Sequence, residues 1–423
     1  MEHVFSAEIV QAIVKTVLLL NGILFGAAYF VLMERRVAAW IQDRHGPNRV
    51  GLPLSLLRRN WKDVSLFGLG QPMVDGLKMI LKEEYTPGQV DRRLYLLAPV
   101  VIMAAALAAF AVIPFGDCLP PIAIFGDEPI QLVAAPECDV GVIYVFALSS
   151  IAVYGVILGG WASNSKYSFL GGLRSSAQMI AYELPLGLGL LGVVLATGSL
   201  RLDEIIRHQA EHGWCAFLQP LGFLVFLVAA FAEAGRLPFD LPEAEQELVG
   251  GYHTEYGGMK LVLFLTAEFI HMITVSFLIV ILFLGGWHLW GMSAAAEPTW
   301  LGAGLRCAVL MAKIFGVVFF FMLVRWSWPR FRFDQLMSLA WKVMLPLGLV
   351  NLLAVAILEE LQHPEMLGSW FQRTFGEGTM LMEILVGWGV AVIALLAVAL
   401  IGPLITDNRP RHDLRPNAID RQI

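Results

Sequence analysis

Charge is scarce in this chain: Asp, Glu, Lys and Arg make up only 15% of 423 residues, against 57% hydrophobic residues and a mean hydropathy of +0.69. A soluble domain carries about 25% charged residues, so an ordinary water-soluble enzyme is excluded. The four cysteines, Cys118, Cys138, Cys215 and Cys307, show no CxxC or Cys/His spacing. That argues against zinc or an iron–sulfur cluster held by this chain. No P-loop, GxSxG, HExxH or GxGxxG stands in a usable context, so the chain is not expected to be a complete redox catalyst alone. The N-terminus lacks a basic n-region and its first apolar run is too long for a signal-peptide core, which predicts a retained helix. An internal repeat of about 20–50 residues is absent too, which weighs against an inverted-repeat transporter.

What the sequence does have is long apolar runs. A bilayer core about 30 Å thick needs roughly 20 apolar helical residues. Nine stretches qualify, at 9–33, 94–115, 140–161, 177–197, 217–234, 259–284, 303–324, 336–358 and 380–405. The expected fold is therefore all-α, a polytopic transmembrane bundle of about nine helices. The remaining basic residues supply an orientation. With the N-terminus outside, one side collects Arg35, Arg36, Arg44, Arg49, Arg58, Arg59, Lys62, Lys78, Lys82, Arg92 and Arg93, then Lys166, Arg174, Arg236, Arg330, Arg332 and a basic tail. The other side holds Arg201, Arg207 and Arg373. By the positive-inside rule the loop 34–93 and the tail face the cytoplasm. Basic residues on an inner membrane face need no nucleic acid to explain them, and none is expected as a partner.

Two inner loops, 34–93 and 236–258, are too rich in charge and glycine to be mere connectors. In the first, Pro72 opens a segment in which Asp75, Lys78 and Lys82 follow at i, i+3 and i+7, with Met73, Val74, Leu77 and Leu81 opposite. This pattern predicts a short amphipathic helix on the membrane surface. The second carries Asp240, Glu243, Glu245, Glu247 and Glu255 around the single basic Arg236. If helical, Asp240, Glu243 and Glu247 share a face, where repulsion favours partial protonation; a solvated acidic face is the alternative. Three further acids, Glu183, Glu233 and Glu268, fall inside or at the edge of apolar runs. A charge at the bilayer centre costs at least about 2.5–3.5 kcal/mol, so such acids serve ion or proton movement or are paired, as Glu233 and Arg236 could be at i, i+3. Cys118 and Cys138 share one predicted outer loop, where a disulfide and two separate thiols are equal alternatives.

Five segments in order, ERRVAAWIQDRHGPNRVG, QPMVDGLKMILKEE, SKYSFLGGLRSSAQMIAYELP, AEAGRLPFDLPEAEQELVGGYHTEYGG and PRFRFDQLMSLAWKVMLP, resemble the H subunit of bacterial NADH:quinone oxidoreductase, respiratory complex I. Its mitochondrial counterpart is the first mitochondrially encoded subunit. The resemblance covers about residues 9–358. It implies a proton-pumping translocase of the bacterial plasma membrane in which this chain, not catalytic alone, helps enclose a chamber for quinone as substrate. Glu34, Arg35, Arg44, Asp75 and Lys78 are implied to lie at that chamber. Glu183, Glu233, Arg236, Asp240, Glu243, Glu245, Glu247 and Glu268 are implied to form an acidic path toward the pumping subunits. Iron–sulfur clusters, FMN and NADH are expected in partner subunits of the peripheral arm, and small membrane subunits as further neighbours.

Two departures from the family pattern divide the chain. A basic insertion at about 51–70, SLLRRNWKDVSLFG, falls within a quinone-chamber unit at 1–358, and an extra helix with a basic tail occupies 359–423. The alternatives are the corresponding subunit of a ferredoxin-dependent complex or membrane-bound hydrogenase, or a stand-alone ion transporter. PFDLPEAEQELVGG favours the quinone enzyme.

Overall fold

The computed structural model describes residues 2–50, 67–121, 129–136, 138–240, 248–289, 299–362 and 379–405. In chain order its first helices are α1 (Glu2–Ile41), α2 (Gln71–Leu81), α3 (Arg92–Ala108), α4 (Gly141–Ala162), α5 (Lys166–Thr197) and α6 (Leu202–His212). They are followed by α7 (Cys215–Leu218), α8 (Pro220–Glu233), α9 (Gly258–Phe283), α10 (Trp300–Ser327), α11 (Phe333–Leu339), α12 (Leu345–Gln362) and α13 (Thr379–Ile405). A π-helical turn at Ala340–Met344 joins α11 to α12. Strands β1 (Cys118–Leu119) and β2 (Ile130–Gln131) form a small antiparallel hairpin with Cys118 opposite Gln131.

Every predicted apolar run lies largely on helix, and among the described residues seven spans are long and apolar enough to cross a membrane. The chain is a multi-pass membrane protein. One run comes out shorter, at Pro220–Glu233. It is cut because Gln219 leaves helical geometry at φ −127°, ψ 64°, just before Pro220 opens α8. Its side chain instead donates to the Gly192 carbonyl of α5 at 3.1 Å. Fourteen residues at about 1.5 Å each reach roughly 21 Å, short of the hydrocarbon core, so α8 ends its Glu233 inside the bundle.

Two helices start or stop differently from the apolar runs. α1 does not end before Glu34 but continues through ERRVAAWI, burying Val37, Ala38 and Ala39, so Glu34 and Arg35 are helical residues rather than loop residues. α5 begins at Lys166, well before residue 177, and stops at Gly198, whose positive φ of 67° suits a residue without Cβ. α3 starts where the Asp91 side chain accepts from the N–H groups of Arg93 and Leu94 at 3.1 and 3.4 Å.

The bundle is built around α9. Within its most apolar window 78% of residues are buried, against 17% for α1, so α9 is the axis and α1 presents apolar side chains outward. Lipid tails are as apolar as leucine, so the helices are held by close packing rather than by a hydrophobic drive. On α4, a Cβ at Gly155 would stand 3.1 Å from the Ala98 carbonyl of α3, and one at Gly160 would stand 2.7 Å from the Ser168 carbonyl of α5. α13 lies at the rim against α7, α8 and α12.

Candidate functional site

The continuation of α1 puts Glu34 beside the start of the loop that follows α8, and this meeting creates the site. Arg236 is buried, its Nη1 3.4 Å from Glu34 and its Nε 3.3 Å from Glu268 on α9. Its guanidinium also lies 4.3 Å from the centre of the Phe269 ring. Arg325, at the end of α10, donates a second charged hydrogen bond to Glu34. Charge-assisted pairs of this kind let ions persist at membrane depth.

These groups line a cavity of about 410 Å³, which Arg35 and Arg44 also reach. Four guanidinium groups and two carboxylates therefore face one space. A second cavity of about 330 Å³ lies beside it between α1, α2 and α9, and shares Val31, Arg35, Leu265 and Phe269 with the first. Its walls are mainly apolar, with Leu24, Ala28 and Met79, and its polar end is the Arg35–Asp75 pair at 2.7 Å. Gln71 steadies Asp75 from the preceding turn at 2.8 Å. An apolar channel that ends among arginines and carboxylates suits a ligand with a greasy tail and a head that accepts hydrogen bonds. Lys78 is exposed on α2 and reaches neither cavity.

Deeper in the bundle is a second set. Glu233 is 5% exposed, accepts from Ser149 of α4 and has His271 Nε2 3.4 Å from Oε1. The next residue, Ser150, donates to Glu183 on α5. Adjacent hydroxyls of α4 thus reach two acids carried by two other helices. A cavity of about 40 Å³ touches Glu233, Glu268 and His271 together and joins the deep set to the arginine cluster. Asp240 follows Phe239, whose carbonyl accepts from the buried amide of Gln178 at 2.7 Å. Glu243, Glu245 and Glu247 lie outside the described residues.

Arg325, His271, Ser149 and Ser150 join the set without having been singled out by sequence. Arg325 stands one residue beyond an apolar run and reads as an interfacial anchor. His271 has a usable signal, one helical turn past Glu268 in TAEFIH. All four cysteines are free thiols, and Cys118 and Cys138 line a common cavity near the β1–β2 hairpin. Among the described residues no cluster of His, Cys, Asp or Glu side chains could hold a metal ion.

Comparison with known proteins places this geometry. The family model described as NADH dehydrogenase matches residues 14–356, from within α1 to within α12. NADH-quinone oxidoreductase subunit 8 of Thermus thermophilus is 47% identical over 350 residues, covering 83% of this chain and 87% of that protein. The H subunit of NADH-quinone oxidoreductase from Salinibacter ruber is 45% identical, over 80% of this chain and 93% of its own length. Its counterpart in Flavobacterium psychrophilum is 42% identical, over 83% and 98% respectively. The matched residues include Glu34, Arg236, Glu268 and every other described residue of the two cavities and the deep acidic set, and the chain belongs to the NADH dehydrogenase family as a membrane subunit of the NADH-quinone oxidoreductase kind.

Proposed function

We propose that the joined cavities between α1, α2 and α9 form part of the quinone chamber, and that Glu268, Glu233 and Glu183 begin a proton path leading away from it. The observation that carries this reading is the change of lining across two adjoining cavities that share Val31, Arg35, Leu265 and Phe269, from Leu24, Ala28 and Met79 to Glu34, Arg236, Glu268 and Arg325. An isoprenoid tail would lie in the apolar part, and a two-carbonyl head would meet the guanidinium donors. Electrons would come from an iron–sulfur cluster held by a partner subunit of the peripheral arm, with FMN and NADH also taken by partner subunits, since the cysteine spacing here does not suit cluster ligation. Two-electron reduction places negative charge on the quinone oxygens and draws protons toward them. The nearby Glu34–Arg236–Glu268 ion pairs would feel that charge first, and Glu233 and Glu183 beyond them would receive the change next.

Proton translocation then belongs to the whole complex, with neighbouring membrane subunits continuing the path. The loop after α1 and the C-terminal tail would face the bacterial cytoplasm, where the peripheral arm docks.

The test fills the channel. Val31 lines both cavities, and Val31→Trp should raise the KM for a long-tailed quinone by about tenfold, roughly 1.4 kcal/mol of lost binding. NADH oxidation by hexaammineruthenium, which does not use the quinone chamber, should be unchanged. An unaltered quinone KM in an assembled complex would contradict the chamber.

A further inference from the structure

We propose that His271 is the proton-carrying link between Glu268 and Glu233, passing protons between the arginine-clustered end of the site and the deep acids. This rests on the reading of those acids as a proton path and names the group that connects them.

Three observations converge on the imidazole. His271 and Glu268 are three residues apart on α9, so they occupy one face of that helix. On its other side Nε2 stands 3.4 Å from Glu233 Oε1, with the side chains 15% and 6% exposed. The contact lacks hydrogen-bond alignment, and among the described residues neither His271 Nε2 nor Glu233 Oε2, both buried, has a hydrogen-bond partner. A locked structural pair would satisfy those atoms, because a buried polar group left unmade costs about 1–3 kcal/mol. Here the pair is instead close enough to exchange a proton after a small rotation. The shared cavity of about 40 Å³ exceeds the roughly 10–15 Å³ that a water molecule needs, so the gap from Glu268 can be bridged by water.

The surroundings favour transfer over trapping. The polar groups facing this space are Ser149 from α4, Ser175 from α5, Glu233 from α8, Tyr252 from the turn before α9, and Glu268 and Thr274 from α9 itself. Among the described residues of these linings the charged side chains are the two carboxylates. Arg236 stands beyond Glu268 and pairs with it. An imidazole can take a proton at one ring nitrogen and release one from the other. The step balances simply. A protonated Glu268 gives its proton, through water, to one ring nitrogen of neutral His271; the imidazolium gives the proton of its other nitrogen to ionised Glu233, which leaves His271 neutral in the opposite tautomer, and a ring flip resets that tautomer. The reverse sequence carries a proton back. No electron moves, and no group outside the chain is consumed.

The experiment uses the assembled complex in native membrane vesicles. His271→Gln keeps polarity and size without a titrating ring. It should lower NADH–quinone turnover and proton pumping by about tenfold or more, at the modest end of what positioned proton transfer supplies. Hexaammineruthenium reduction should stay at the native rate, the pH–rate profile should lose one limb, and added imidazole should restore part of the rate to His271→Ala. Lowered turnover with an unchanged pH profile and no imidazole rescue would make His271 a packing residue and overturn the proposal. Native turnover and pumping in His271→Gln, while Glu268→Gln and Glu233→Gln lose both, would overturn the link but leave the acidic path standing. Native behaviour in all three would remove the path as well. If His271→Gln fails to assemble, His271→Asn and the imidazole rescue of His271→Ala decide by the same readouts.

Discussion

Arg236→Met tests whether the arginine cluster is a balanced set of buried charges. Methionine fills much of the same volume but removes the guanidinium that stands 3.4 Å from Glu34 and 3.3 Å from Glu268. Glu34 keeps its bond from Arg325, so most of the damage falls on Glu268. Removing one partner of a buried ion pair costs about 3–5 kcal/mol, because a charge is left behind in low dielectric. The lost contact with the Phe269 ring adds roughly 0.5–2 kcal/mol. The single variant should therefore lose at least about 3 kcal/mol. Adding Glu268→Gln to Arg236→Met removes the carboxylate charge that the guanidinium balanced and should recover about half of that, although each single change destabilises. The assay is graded SDS denaturation of the detergent-solubilised complex, with retention of this chain followed on gels. A double variant no more stable than Arg236→Met would refute the charge balance and leave packing as the role of Arg236.

Further outcomes follow from particular contacts. Ser149→Ala and Ser150→Ala each remove a hydroxyl donor to a carboxylate, a bond of about 1.5–3 kcal/mol; each should slow quinone-linked turnover while hexaammineruthenium reduction is unchanged. Gly171→Ala would place a Cβ 2.6 Å from the Gly251 backbone, so about 1–3 kcal/mol of overpacking should lower the yield of assembled complex on native gels. Burial, and then stacked His212, hold His208 below the ordinary histidine range, with Glu211 opposing them. The unfolded imidazole therefore binds protons first, and stability of the α6 segment should be lost as pH falls below about 6.5. Hydrogen exchange over Leu202–His212 should quicken on acidification in the native chain and less so in His208→Gln.

The bilayer makes much of this fold legible, because each crossing demands a run of fixed length and the nine runs announce themselves. The α2 surface helix is equally plain from Pro72 and the spacing of Asp75, Lys78 and Lys82. The extension of α1 is hidden by the charges at Glu34, Arg35 and Arg36, which look like a helix end until Arg236 and Arg325 are seen to neutralise Glu34. Glu34 and Arg325 are 291 positions apart, and no local pattern foretells such a pair. α6 does carry a signal, since Leu202, Ile205, Ile206 and Gln209 fall on one buried face, but charges between them conceal it from a search for apolar runs. Glu183, Glu233 and Glu268 are conspicuous as acids in apolar sequence. Which acids meet is decided by the Ser149–Ser150 step and by His271, whose roles depend on packing angles that sequence does not display.

The most direct test of the proton path replaces Glu183, Glu233 and Glu268 in turn by Gln, confirms assembly, and measures quinone reduction together with proton pumping in sealed vesicles. Each neutral amide can hold a hydrogen bond but cannot carry a proton, so at least Glu233→Gln and Glu268→Gln should lose about tenfold or more of coupled turnover. Full turnover and full pumping in all three variants would show that these carboxylates serve structure alone.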